Sequence, residues 1–317
     1  LFYLAGGGEF LESRRQADAS LFLVALCFGL SSLLVWAWVW HRFFEKVGIE
    51  ASASDSLRMF LTGNFLNSVT PLGQFGGEPI MAYIVSETTD SEYERTLACV
   101  VSADILNATP FFTFTLGGIL YLAVVGSVKG PLVDIAALAG VLLLLLAVVA
   151  YLLWSERRSF GGTVVRLLDG LEDRIGRGEA LFESVRERVE GVEKAFEKAG
   201  SKRSFLVKTA AVSHLAILAQ ILSLYFVFRS LGLPTEFVPL YLIVNLSVIA
   251  TVSPTPGGAG TYEAAFSGLV TLFYTVDLAT AVTAAVLFRL TTYWPGIPVG
   301  AAALVTLRGK MGEDEEG

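Results

Sequence analysis

The chain is poor in cysteine, histidine and charge. Cys27 and Cys99 fall in apolar sequence without ligand spacing, which argues against a disulfide framework and a zinc site. Charged residues are 17% of 317 positions, too few for a soluble globule of this length. The net charge of −7 is inflated by an acidic tail, Gly312 to Gly317, and gives no basis for a nucleic-acid partner. An initiator methionine is also lacking. The opening Leu1 to Ala5 reads like the end of an apolar helix, so a span is expected before Leu1.

What is abundant is apolar sequence: 54% of residues, with a mean hydropathy of +0.62. Leu21 to Trp40 and Ile135 to Trp154 carry no charge over 20 residues each, enough to cross a hydrocarbon layer of roughly 30 Å. Three further runs carry one polar or charged residue each and are also expected to span: Thr96 to Val128 (Asp104), Thr209 to Phe228 (His214) and Leu278 to Leu307 (Arg289). His214, alone in its helix, is expected to be a hydrogen-bonded packing residue. Trp36, Trp38, Trp40, Trp154 and Trp294 lie near span ends and read as interfacial anchors.

Inside this apolar background one pattern occurs twice. Thr70-Pro-Leu-Gly-Gln-Phe-Gly-Gly-Glu78 returns 185 residues later as Thr255-Pro-Gly-Gly-Ala-Gly-Thr-Tyr-Glu263, and the same offset carries Pro110 onto Pro295. It also carries Leu21 to Trp40 onto Leu206 to Tyr225. Proline, glycine and a carboxylate at membrane depth are tolerated where broken helices line a cavity. The segments holding the motifs, Leu57 to Ser86 and Phe237 to Phe273, either span or dip and return. Lysine and arginine favour the second: eleven in Ser155 to Ser204, with Arg42, Lys46, Arg58, Arg95, Arg308 and Lys310, then share one side. Three crossings separate equivalent points, so the second half is inverted relative to the first.

The expected architecture is therefore an all-α polytopic integral membrane protein of two inverted repeats, each with a re-entrant broken-helix hairpin. Residues 1–126 form the first repeat and 127–317 the second. The insert 155–204 shows helical periodicity and is expected to form two amphipathic helices on the cytoplasmic side, as is the C-terminus. It has no cysteine, histidine or phosphate-binding glycine loop, and nothing in it points to catalysis.

The candidate site follows from the motifs. Thr70, Pro71, Gly73, Gly76, Gly77 and Glu78 in the first half, and Thr255, Pro256, Gly257, Gly258, Gly260, Tyr262 and Glu263 in the second, are candidate substrate-binding residues. Amides freed at a broken helix suit an anion, while the plain reading is that these glycines permit the reversal. Each glutamate sits where the second half-helix should begin, with Pro79 at a first helical position; each either caps its helix or faces a cavity. The offset sets Asp104 against Arg289, which could be partners across the repeat axis, or each could pair with the other half's glutamate or with ligand. Arg289 is the best phosphate contact, because its fork stays charged and binds bidentately. Asn107 shares a face with Asp104, and Thr292 with Arg289.

Asn67-Ser-Val-Thr-Pro-Leu-Gly-Gln-Phe-Gly-Gly-Glu-Pro79, Ser253-Pro-Thr-Pro-Gly-Gly-Ala-Gly-Thr-Tyr-Glu263 and Arg289-Leu-Thr-Thr-Tyr-Trp294 resemble the transmembrane-region family of lysylphosphatidylglycerol synthase, the flippase-like domain. The resemblance covers nearly the whole chain. It implies a polytopic protein that stands alone or fused to a catalytic domain and moves a modified lipid to the outer leaflet, with archaeal members tied to polyprenyl-linked glycan pathways. No aminoacyl-transferase domain is present in this chain. The expectation is a plasma-membrane lipid translocator with no catalytic residue, cofactor or metal. Two alternatives stand: a subunit presenting a lipid carrier to a glycosyltransferase or lipid-modifying enzyme, and an intramembrane headgroup transferase using Glu78 or Glu263 as base.

Overall fold

The computed structural model describes residues 18–70, 74–125, 198, 200–251, 253 and 255–315. The span expected at Ile135 to Trp154, nearly all of the insert, Pro71, Gly73 and the segment before Asp18 lie outside the described residues.

Every described element is helical. The order is α1 (Ala19–Val47), α2 (Ala53–Val69), α3 (Gln74–Thr89), α4 (Tyr93–Asn107), α5 (Thr109–Val125), α6 (Arg203–Ser230), α7 (Phe237–Ser247), two 3₁₀ turns, η1 (Val248–Thr251) and η2 (Pro256–Gly258), then α8 (Thr261–Phe273), α9 (Leu278–Thr292) and α10 (Gly296–Glu315). Local chemistry sets several ends. Asp18 accepts from the Ser20 and Leu21 amides to start α1, and Gly48, at φ 84°, returns its N–H to the Phe44 carbonyl to end it.

Three stretches are long and apolar enough to cross a membrane: Ala19–Val47, Tyr93–Leu122 and Arg203–Ser230. Their outward faces carry Leu23, Leu30, Leu34, Leu116, Leu120 and Leu215, which belong against lipid rather than water. The Leu278 to Leu307 run is not one helix. It breaks at Tyr293 to Pro295, because proline lacks an N–H and drives the preceding residue out of the α region. The Tyr93–Leu122 stretch turns at Ala108, ahead of the equivalent Pro110.

The 185-residue offset is visible in the elements. It carries Tyr93 and Asn107 onto Leu278 and Thr292, the limits of α9. Both motif segments are helix, break, helix, with α2 packed on α3 and α7 on α8. Packing between the halves is reciprocal: α2 lies on α10 while its counterpart α7 lies on α5, and α1 touches α9 while α6 touches α4. Two apolar cores result. One is built on α1 to α4 and takes Ala303 and Leu307 from α10; the other is built on α6 to α9 and takes Phe114, Ile119 and Leu122 from α5. Close approach is set by small residues: a Cβ on Gly29 would lie 2.0 Å from the Thr291 carbonyl oxygen, and one on Gly300 2.3 Å from that of Leu61.

Candidate functional site

The second motif is a tight loop that hands the chain to α8. Gly257, Gly258 and Gly260 have φ of 55°, 66° and 86°, which side-chain-bearing residues rarely adopt. The turn is closed by the Gly258 and Ala259 amides donating to the Thr255 and Pro256 carbonyls. The Thr261 hydroxyl is held 2.9 Å from both the Ala250 and Gly258 carbonyl oxygens. Glu263, at the third position of α8, reaches back to accept the Gly260 N–H at 2.7 Å, so of its two readings the helix cap is present.

The other Glu263 oxygen accepts from Arg289, reaching in from α9, at 3.0 Å. The second Arg289 nitrogen donates to the Gly257 carbonyl at 2.9 Å. The guanidinium lies 3.7 Å from the centre of the Tyr293 ring and 4.9 Å from that of Tyr262, and the residue is 3% exposed. Its charge is thus balanced by Glu263, its planar faces are stacked, and it satisfies a carbonyl the loop would otherwise orphan. The sequence pointed Arg289 to Asp104, to the glutamate of the other half or to ligand; the structure instead gives it the glutamate of its own half, which the loop brings within reach of α9.

In the first half α2 runs to Val69, and Thr70 ends it with its hydroxyl donating to the Leu66 carbonyl at 2.8 Å. The second helix begins at Gln74, earlier than expected, so Pro79 lies inside α3 rather than at its first position. As the sixth residue it lies past the amides that have no helical partner, so its missing N–H removes one hydrogen bond from α3. Gly77 faces Asn67: a Cβ there would sit 1.9 Å from Oδ1, an oxygen that is buried without a partner. Asp104, at the position equivalent to Arg289, accepts from the Trp40 indole at 3.1 Å. Asn107 turns instead to α6, accepting from the Ser213 hydroxyl at 3.0 Å.

The two motif segments touch. η2 packs on α2, and the Tyr293 hydroxyl donates to the Ser68 carbonyl at 3.1 Å. In the sequence Tyr293 and Ser68 have a place in the motifs but no role of their own, and Trp40 stands among the interfacial anchors. Tyr293 lies four residues after Arg289, and that helical spacing was the available signal. Trp40 is 4% exposed, a buried donor to Asp104 rather than an interfacial anchor; Trp38 and Trp294 are exposed, as anchors would be. His214 is the packing residue expected, with Nδ1 2.7 Å from the Ala210 carbonyl and Nε2 2.7 Å from the Thr113 hydroxyl. A cavity of about 490 Å³ lined by Tyr83, Ser86, Glu87, Asp90, Ser91 and Tyr93 opens at the far end of α3 from Glu78.

The family described as the lysylphosphatidylglycerol synthase TM region matches residues 1–300. A UPF0104 membrane protein of Pyrococcus horikoshii is 28% identical over 325 residues, covering 98% of this chain and 93% of the relative. One from Methanothermobacter thermautotrophicus is 24% identical, covering 96% and 90%, and one from Methanocaldococcus jannaschii is 24% identical, covering 85% and 79%. The chain is an integral membrane protein and belongs to the lysylphosphatidylglycerol synthase transmembrane-region family.

Proposed function

We propose that this protein is a lipid translocator, without enzyme chemistry of its own, whose two halves are inverted and exchange access to a polar site between their motifs. The observation that carries the reading is the contact between the two broken segments, Tyr293 to Ser68 and η2 to α2, in a chain whose outer faces are apolar. Broken helices are stable at membrane depth where they pack on protein or line a cavity. The reciprocal packing of the halves supports a two-fold relationship, and the three crossings expected from the sequence between equivalent points favour an inverted one.

In this reading the substrate is an amphipathic lipid with a phosphate-bearing headgroup, and its acyl chains stay in the bilayer. Arg289 is held by Glu263, so the phosphate is received by exchange: it takes the guanidinium and the α8 amides as Glu263 leaves them. Glu78 and Asp104 take the cationic part of the headgroup or a proton. The protein works in the plasma membrane, with the insert and C-terminus in the cytoplasm, beside a lipid-modifying enzyme or glycosyltransferase that supplies the lipid.

Purified protein in liposomes carrying a headgroup-labelled phospholipid tests this. Leaflet-selective quenching should show label crossing faster than in empty liposomes, with Glu263→Gln and Arg289→Ala both slowing it. Chemical conversion of the lipid would replace the reading with a transferase. Inertness towards both phospholipid and polyprenyl-phosphate probes would replace it with a carrier-presenting subunit.

A further inference from the structure

Tyr293 makes contacts that have no counterpart among the described residues of the other half. Its ring stacks on Arg289 at 3.7 Å, its hydroxyl donates to Ser68 across the junction, and the hydroxyl lies so close to Gly257 that a Cβ there would come within 1.9 Å of it. The offset that relates the halves places Ala108 at the position of Tyr293, Asp104 at Arg289, Leu72 at Gly257 and Ser253 at Ser68. Ala108 and Tyr293 occupy the same structural place, each the cap residue ending its helix. The methyl of Ala108 can donate to nothing.

Alternating access in an inverted repeat exchanges the conformations of the halves, and identical halves would give two end states of equal energy. Here they are unequal. We propose that Tyr293 is a one-sided latch: it positions the second motif against the carbonyl end of α2 and favours the state described over its mirror state, in which Ala108 would face Ser253 without a bond. This inference rests on the translocator reading and adds an asymmetry to it. The bond is a single neutral hydrogen bond, so its loss should shift the balance of states without unfolding the protein. A shift of about fivefold corresponds to about 1 kcal/mol, the usual net worth of such a bond.

The test uses the full chain in liposomes with Cys27→Ser and Cys99→Ala, and nitroxide labels on cysteines replacing the exposed Val69 and Ala259. Dipolar broadening reports whether the end of α2 and the second motif are together. Tyr293→Phe should raise the separated fraction about fivefold. 4-Aminophenylalanine at 293, which keeps the ring and restores a donor, should return it towards the parent value; a role in packing alone would not discriminate between the two. Equal spectra for the parent and Tyr293→Phe would overturn the latch, as would 4-aminophenylalanine behaving like phenylalanine. Translocation is followed in the same liposomes. A shifted population with no lipid movement in any form retires the translocator reading alone, whereas normal movement with an unshifted population retires the latch alone.

Discussion

Arg289 and Glu263 form a closed ion pair, 3.0 Å between nitrogen and oxygen, with side-chain exposures of 3% and 15%. Removing one member of such a pair strands the other charge away from water, which costs about 3–5 kcal/mol. Arg289→Gln should therefore destabilise the protein by that amount, in part because Gly257 loses its hydrogen-bond partner. The double variant Glu263→Gln with Arg289→Met should recover at least half of the loss. Unfolding in detergent, followed by helical circular dichroism, checks this. A single variant within about 1 kcal/mol of the parent would mean that the pair is not closed in solution.

The equivalent carboxylates should respond differently. Glu263 is paired with a guanidinium, whereas Glu78 has no ion-pair partner among the described residues. Glu263→Gln is expected to lower the melting temperature. Glu78→Gln, which breaks no such pair, is expected to leave it unchanged or raise it. Parallel thermal scans of the two variants at neutral pH make the comparison.

Gly257→Ala meets two obstacles, a left-handed φ of 55° and the Tyr293 hydroxyl. The expected loss is about 1–3 kcal/mol, with slower lipid translocation. Gly117→Ala, where a Cβ would meet nothing within 4 Å, is expected to change stability by no more than about 0.5 kcal/mol.

Asp277 caps α9, accepting from both the amide and the hydroxyl of Thr280 at 2.8 Å. The Thr280 amide bond comes first in holding its carboxyl below the ordinary value of 3.8. A depressed folded value means that the cap stabilises fully above the ordinary value and is lost as pH falls through the lowered one. Asp277→Ala should cost about 1 kcal/mol at neutral pH, and the gap from the parent should close only in acid below pH 3.8. Stability measured against pH for both proteins gives the answer.

The parts legible in sequence were those carried by pattern. Two motifs in register announced two matching halves, and the limits of α4 and α9 repeat at the same spacing. Contacts were less legible, because an offset says which residues are equivalent and not which ones touch. It aligned Arg289 with Asp104, yet Arg289 pairs with Glu263 and Asp104 takes the Trp40 indole. Trp40 misled because its place near a span end says nothing about which way its face turns. The Leu278 to Leu307 run concealed a break, because apolar composition continues through Tyr293 to Pro295 even though the helix does not. Pro295 was the available signal, and Tyr293 beside it proved to be the residue that joins the motifs.

The account depends most on the two halves being inverted, and single-cysteine labelling from outside tests that directly. Ser91 follows α3, and the offset carries it onto Val276, which follows α8. In a background without Cys27 and Cys99, a membrane-impermeant maleimide applied to intact cells should label a cysteine at 276 and spare one at 91 until the membrane is opened. Labelling of both from the same side would contradict the inverted arrangement, and with it the proposal that the two motifs meet between oppositely oriented halves.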